Sequence, residues 1–516
     1  MSTSGRIVKN TSFLYVKMII TTIISLYTAR VFLNTLGASD YGLYTLVSGV
    51  IFMFGFLQDT LTRASLRYLC LYKAIEDIQN QKRVFSISVI LHFAIALFIL
   101  ANLLFIEPFL FSGFLNIESD RVSAAKIVYN FMIVSFVFTV ISIPYDSVLN
   151  ANENMLYYSV VGIIESFLKL ALAISLPYVC SDKLIFYSLI LALITISSMI
   201  AKRIYCHMKY KECKFKLSLF DRTISKGMVS YAGWNFLTSI SSLISFNAIP
   251  VVLNMFFGTI LNAAQGIAAQ VNGVLTQFST NMVKALNPTI TKSGGGDDVG
   301  RMMMFAVTGS KLSFLILTFI AVPIILECPY ILKVWLVNVP EWATVFCVML
   351  IIRSLLGQLE AVYADCIYAN ADIKSYCIVK SILNLLPLPL IYFSFKMGGA
   401  PYMVYVNMLI CWEILGGIVI IYYNRKMYNL DINNYLKELL FPCLSLLGIE
   451  CATGTVICMM MESSFSRLVL TTIAVSVIFL LLSWFMILRK HERDLVKGMF
   501  IKWIPLRKHI AYGKNQ

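Results

Sequence analysis

Apolar runs about 20 residues long recur from one end of this sequence to the other, each the length that an α-helix needs to cross a bilayer. Fourteen are read, at about 11–33, 41–62, 85–107, 127–149, 156–178, 184–201, 229–253, 260–283, 303–327, 342–362, 376–395, 402–423, 439–461 and 467–488. Of the 516 residues, 59% are hydrophobic and 13% are charged, about half the charge of a soluble protein. The expectation is an all-α polytopic membrane protein. Soluble enzymes, disulfide scaffolds and disordered chains are excluded.

The even number of passes places both termini on one side, and the basic residues test which side. Loops and tails on the side of the N-terminus hold 30 Lys and Arg, and those on the opposite side hold 5. That bias predicts cytoplasmic termini, because Lys and Arg accumulate in cytoplasmic loops. It also accounts for the net charge of +15 without invoking nucleic acid. The first pass lacks a small-residue cleavage pattern and is read as retained. Most of the 12 cysteines lie inside apolar runs and read as small hydrophobes, and Cys206, His207 and Cys213 lack the CxxC spacing of a zinc site, so no metal is expected. No cofactor is expected either; proton, sodium or membrane-potential coupling are the open options.

An internal repeat organises the passes. Gly42-Leu43-Tyr44-Thr45-Leu46-Val47-Ser48-Gly49-Val50 matches Gly266-Ile267-Ala268-Ala269-Gln270-Val271-Asn272-Gly273-Val274 at an offset of six passes. An even offset gives both halves the same orientation, a parallel repeat about an axis along the membrane normal. The expected domains are a six-helix bundle over 1–205, a basic linker over 206–228, a second six-helix bundle over 229–423, two additional helices over 424–488 and a basic cytoplasmic tail over 489–516. The linker reads either as a segment lying on anionic headgroups or as a plain topology signal.

Polar stripes mark helix faces that lipid cannot satisfy. Lys17, Thr21, Ser25 and Thr28 share a face of the first pass, and Asn235, Ser239 and Ser242 a face of the seventh. The eighth carries Gln265, Gln270, Asn272, Gln277 and Asn281. Hydrogen bonding between helices explains the Ser and Thr members equally well; the number of amides in the eighth pass points to a wet cavity. A cation at mid-bilayer needs a reason, which makes Lys17, Lys311, Arg353 and Lys380 candidates for a cationic cavity, with Arg63 at its mouth. Such a cavity suits an anionic cargo such as a diphosphate. Asp59, Asp146, Glu413, Glu450 and His92 could carry protons, or could be satisfied structural groups. Prolines within passes (Pro144, Pro250, Pro323, Pro387 and Pro389) are candidate kinks. No P-loop, DxD motif or sizeable outside loop supports an enzyme.

Arg6-Ile7-Val8-Lys9-Asn10-Thr11, the stretch Tyr27–Gly37 and Asp40-Tyr41-Gly42-Leu43-Tyr44 resemble Wzx-type flippases. So do Gln270–Val274, Asn287-Pro288 and the loop Lys292–Asp298. These are the O-antigen and capsule flippases of the multidrug/oligosaccharidyl-lipid/polysaccharide (MOP) exporter superfamily. The resemblance implies a MATE-like fold of two six-helix bundles and alternating access in the bacterial inner membrane. The cargo would be an undecaprenyl-diphosphate-linked oligosaccharide, and a polysaccharide polymerase and chain-length factor would be partners alongside membrane lipids. Lys17 and Arg63 match, in kind and approximate place, the cations of relatives that move the peptidoglycan precursor. A peptidoglycan-precursor flippase and a cation-coupled multidrug antiporter of the same fold are the alternatives.

Overall fold

The computed structural model describes residues 3–114, 117, 120–179, 182–295, 298–336, 339–370, 372–489 and 492–493. These residues are helical with no strand among them, and eleven of the helices are long and apolar enough to cross a membrane. The eleven correspond to the expected third to seventh and ninth to fourteenth passes. The chain is a multi-pass membrane protein. Helices dominate because lipid offers no partner for a peptide group, so each segment must satisfy its own backbone.

The first two passes come from α1 (Thr3–Phe52) and α2 (Gly55–Ala74). α1 is helical throughout but not straight. The rings of Phe32 and Tyr44 lie 5.2 Å apart and both pack on Tyr187, whereas twelve residues of straight helix would separate them by about 18 Å. The path therefore turns back between them, and Asp40 at the turn meets Arg121. The other helices of this half are α3 (Ile78–Phe109), α4 (Val122–Ala151), α5 (Met155–Ser175) and α6 (Lys183–Lys209). Polar residues at the edges of the apolar runs cap them: Asp77, Asn154 and Asp182 accept from the first free amides of α3, α5 and α6, satisfying donors that have no partner in their own helix.

The second half runs through α7 (Arg222–Phe257), α8 (Thr259–Gly295), α9 (Val299–Leu326), α10 (Cys328–Leu336), α11 (Ala343–Ala369), α12 (Lys374–Leu385) and α13 (Pro387–Lys396). Gly258 alone joins α7 to α8, at φ +78, a conformation that favours glycine. The twelfth pass is α14 (Met403–Met408) and α15 (Gly416–Tyr428), joined by a π-helical turn over Leu409–Leu415. α16 (Ile432–Tyr435) and α17 (Phe441–Met460), with a second π-helical turn between them, form the thirteenth, and α18 (Phe465–Leu482) begins the fourteenth. Pro144, Pro250 and Pro323 sit inside continuous helices, and only the Pro387 and Pro389 pair coincides with a helix boundary.

Two compact units emerge, one over residues 13–240 and one over 241 onward together with the residues before 13. In the first, α4 is the hub, packed on α2, α3 and α6. In the second, α11 and α9 are central; α8 lies against both, and α17 and α18 lie against α9. The division falls inside α7 rather than at the basic stretch 206–228, and the reason is local packing. Cys206, Cys213, Ile224 and Met228 are buried in one cluster with Leu69 and Phe85. Asn154 donates to the hydroxyls of Tyr205 and Tyr210, both at 2.8 Å, and Asn152 donates to Glu212 at 2.9 Å. The stretch is thus a folded cap of the first unit. Phe215, Leu217 and Phe220 remain exposed among its lysines.

At the opposite end of the first unit, Arg121 bridges Asp40 and Asp182, bonding the first at 2.9 Å through Nε and the second at 2.6 Å through Nη1. This ties the turn of α1 to the starts of α4 and α6. Burial opposes ionisation of Asp182, but the Ile185 and Leu184 amides and the Arg121 guanidinium outweigh it and hold its pKa below the usual 3.8. A depressed carboxyl stabilises the fold above its unfolded pKa and ceases to do so as pH falls through the folded value. Thermal unfolding in detergent should therefore lose an increment of stability below about pH 4. Asp182→Asn should abolish that increment, and identical acid profiles for the two proteins would refute the assignment.

Candidate functional site

α11 presents Arg353, Gly357 and Glu360 at helical spacing on one face. Opposite it stands the π-helical turn that carries Glu413, followed by Gly416 and Gly417. A π turn widens the backbone locally and re-aims its side chains. Here Glu413 Oε1 receives Arg353 Nη1 at 3.0 Å, and the guanidinium lies 5.2 Å from the Trp412 ring. Lys380, on α12, is within electrostatic reach of both Glu360 and Glu413. Each of three charged groups rests against a glycine. The Glu413 carboxylate comes within 2.8 Å of where a Cβ of Gly357 would be, the Lys380 ammonium within 3.3 Å of that at Gly416, and the Glu360 carboxylate occupies the space of one at Gly417. The cluster holds two positive and two negative groups and is formally neutral.

Glu360 and Glu413 face a cavity of about 480 Å³ with apolar walls, which Tyr422, Tyr435 and Arg425 complete. Arg353 and Lys380 are not among its lining residues. The cavity therefore presents two carboxylates together with the Arg425 side chain, while Arg353 and Lys380 stand outside its lining. Arg353 and Lys380 were expected in a cationic cavity; here Arg353 is paired with Glu413, 60 residues on in sequence, and Lys380 stands within electrostatic reach of Glu360 and Glu413.

Lys311, expected in the same cationic cavity, is likewise paired with an acid. It is 1% exposed, and its ammonium donates to both carboxylate oxygens of Glu492 at 2.9 Å. Thr308 and the Arg489 amide complete the carboxylate's bonds. The start of the C-terminal tail thus folds inward and neutralises α9, and the rest of the tail lies outside the described residues. A second buried pair, Arg467 with Glu327 at 2.8 Å, joins α18 to the end of α9, with Thr471 also bonding the carboxylate. Neither Glu327 nor Glu492 was legible as a partner, since both sit at the edge of an apolar run. Glu492→Ala should cost about 3–5 kcal/mol by stranding Lys311, read as a lowered Tm in detergent. Pairing Lys311→Met with Glu492→Leu should recover most of the loss, and no recovery would show that the tail acts by packing instead.

In the first unit, Lys17 reaches α5 where Gly162 leaves space for its stem, and its ammonium sits 4.0 Å from the centre of the Tyr158 ring. It forms no ion pair among the described residues. Lys202 approaches the same ring at 5.3 Å and pairs with Asp146 at 2.9 Å. Asp146 therefore serves as the partner of Lys202. Lys169 and Glu165 pair as expected, at 2.7 Å. They line a cavity of about 360 Å³ with Ser48, Ser135, Thr139 and Thr195.

Among the remaining predicted residues, Arg63 is exposed on α2. The Thr21 hydroxyl returns to the Met18 carbonyl at 3.2 Å, and Ser25 is exposed. Asn235 is buried and spends its amide on the Tyr231 carbonyl of its own helix. His92 is buried, with Nδ1 on the Ser88 carbonyl. Glu450 is buried with neither oxygen hydrogen-bonded among the described residues. The Asp59 side chain lies outside the described residues.

α8 behaves differently. Its exposed face runs Ala263, Gly266, Gln270, Gly273, Val274, Gln277 and Thr280, small or polar apart from Val274. Gln265, Asn272 and Asn281 flank it, half-buried, with Gln265 Oε1 and Asn272 Oδ1 unbonded among the described residues. The exposed faces of α3 and α18 carry Phe93, Phe98, Phe105, Ile473 and Leu480 instead. Lipid suits the second kind of face and water the first. Gly417→Ala should push the Glu360 carboxylate aside and destabilise by about 1–3 kcal/mol, seen as a drop in Tm that Gly448→Ala, where a Cβ meets nothing, does not produce.

No protein-family model and no curated protein matches the sequence. Solved structures do match its fold. A MATE transporter in complex with MaL6 superposes with a TM-score of 0.71 at 14% identity, over 83% of this chain and 99% of that one. A multidrug resistance MATE family transporter of the MOP superfamily, in an outward-facing conformation, gives 0.71 at 14% identity, over 83% and 98%. A MOP superfamily transporter from Pyrococcus furiosus, described as having a binding pocket of reverse polarity that suggests a different function, gives 0.69 at 14% identity, over the same shares. The unmatched part of this chain is about as long as the two additional C-terminal helices with the tail. The chain thus has the fold of the MATE transporters of the MOP superfamily.

Proposed function

We propose that this protein is a flippase that carries a lipid-linked oligosaccharide diphosphate across the bacterial cytoplasmic membrane by alternating access. Both termini are cytoplasmic in this reading, and the cargo moves outward. The observation that carries it is the state of the embedded cations. Lys311, Arg353, Lys169 and Lys202 are each committed to a carboxylate, while Lys17 rests on an aromatic face with no ion pair among the described residues. An ammonium held only by a ring quadrupole can exchange that contact for a stronger, charge-assisted bond to a diphosphate. The polar face of α8 would supply the wet surface that the sugars require, their hydroxyls needing hydrogen-bond partners that lipid lacks. Sequence resemblance to Wzx-type flippases supports the same cargo.

Deleting the gene should cause lipid-linked repeat units to accumulate in the cytoplasmic leaflet and surface glycan to disappear. Lys17→Ala should reproduce the export defect, with membrane insertion unchanged, and Lys17→Arg should restore it in part. Normal glycan display by Lys17→Ala would remove Lys17 from the site.

A second reading, a cation-coupled multidrug antiporter, is favoured by the cavity that presents Glu360 and Glu413. Carboxylates in an apolar pocket suit a lipophilic cation. Everted vesicles separate the two: uptake of a lipophilic cation that disappears in Glu360→Gln would support the antiporter.

A further inference from the structure

Two ammoniums share one aromatic ring in the first unit. Lys17 Nζ lies 4.0 Å and Lys202 Nζ 5.3 Å from the centre of the Tyr158 ring, so the two nitrogens are at most about 9 Å apart. Lys202 also meets Asp146 at 2.9 Å. The stem of Lys17 fills the space left by the missing side chain of Gly162, one turn along α5 from Tyr158. Three helices place the cluster at one level. Asp146 on α4, Tyr158 on α5 and Lys202 on α6 each stand two turns, about 10 Å, from a residue that lines the same hydroxyl-rich cavity: Thr139, Glu165 and Thr195. All three lie close to the ends of their passes, on the side where the basic loops concentrate. By the charge bias that side is cytoplasmic, which sets the cluster near the depth of the lipid phosphates there.

An ammonium carries three donors, so Lys202 can bond a second acceptor without releasing Asp146. Two charge-assisted bonds of about 2.8 Å take up most of the span between Lys17 and Lys202, and the remainder is at most about 4 Å. Oxygens on the two phosphoryl groups of one diphosphate bridge such a gap. We infer that Lys202 is the second cation of the diphosphate site, one phosphoryl group going to it and the other to Lys17, and that Asp146 limits how firmly the two hold. The empty cluster carries two positive charges and one negative. The Asp146 carboxylate, in contact with Lys202, repels an incoming anion at a depth where salt screens poorly. Transport needs that restraint, because a site must bind well enough to load and weakly enough to release.

This rests on the diphosphate cargo proposed above, and the experiment separates the two. Full-length protein in detergent is titrated with labelled inorganic pyrophosphate at fixed pH and ionic strength. Asp146→Asn should tighten binding by about tenfold. Adding Lys202→Gln to Asp146→Asn strands no charge and should weaken binding again by about tenfold or more, as should Lys17→Ala. Undiminished affinity on adding Lys202→Gln, with loss in Lys17→Ala, removes Lys202 from the site and leaves the flippase reading standing. Weaker binding by Asp146→Asn alone shows that the carboxylate positions the lysine and overturns its role as a restraint. No binding by any form overturns the diphosphate cargo at this site, and the inference with it. Sulfate, or phosphatidylglycerol added to the micelles, should displace the label poorly. Displacement by either as complete as by unlabelled pyrophosphate would make the two lysines a general anion or lipid-headgroup contact and sink the assignment. In cells, Asp146→Asn should slow glycan export despite its tighter hold; undiminished export would refute the restraint.

Discussion

A hydrocarbon layer solvates neither a peptide group nor an isolated charge, and nearly every polar feature of this protein answers to that constraint. The backbone answers with helices through its apolar runs and no strand among the described residues. The charges answer by pairing. Lys311 with Glu492, Arg467 with Glu327 and Arg353 with Glu413 each bring together segments distant in sequence, and each removes an ion from a medium that would otherwise exclude it. The first two fasten the additional C-terminal helices to α9, at two points along its length. Breaking either would leave an ion stranded, which makes these contacts anchors even where the pair itself adds little net stability.

Against that background, the groups that do not pair acquire meaning. Lys17 on the Tyr158 ring and the uncommitted amide oxygens of α8 are places where the fold leaves polar capacity unspent, and Glu360 faces the larger cavity beside Glu413, which Arg353 pairs. They fall into two chemistries. The first unit offers an ammonium and a hydroxyl-lined cavity, and the second offers carboxylates under apolar walls. A fold alone does not set what its sites bind; the placement of a few side chains does.

Much of this architecture was legible in the sequence, and the reasons are specific. Run length gave the passes, because bilayer thickness fixes helix length. The i, i+4 pair of Glu165 and Lys169 was readable because both partners lie on one helix. The stripe of amides on α8 was readable because helical spacing alone defines a face. The basic stretch at 206–228 reads as a linker because its charges stand out in sequence, while Asn152 and Asn154, which bond Glu212, Tyr205 and Tyr210, lie some 50–60 residues away. The Asn235 bond to the Tyr231 carbonyl was not legible, because spacing alone does not tell whether an amide turns back onto its own helix.

The sequence by itself determined that this chain is a bundle of membrane helices, how many passes it makes and where its charges are concentrated, since those follow from local apolar length and composition. Tertiary structure alone decided which embedded charges are free to act. A lysine in an apolar run looks the same whether or not a carboxylate waits on another helix, and electrostatic pairing depends on distances of a few ångströms that no local pattern encodes. Lys311 and Lys17 are alike in sequence, but Glu492 holds the first and the second has only the face of a tyrosine.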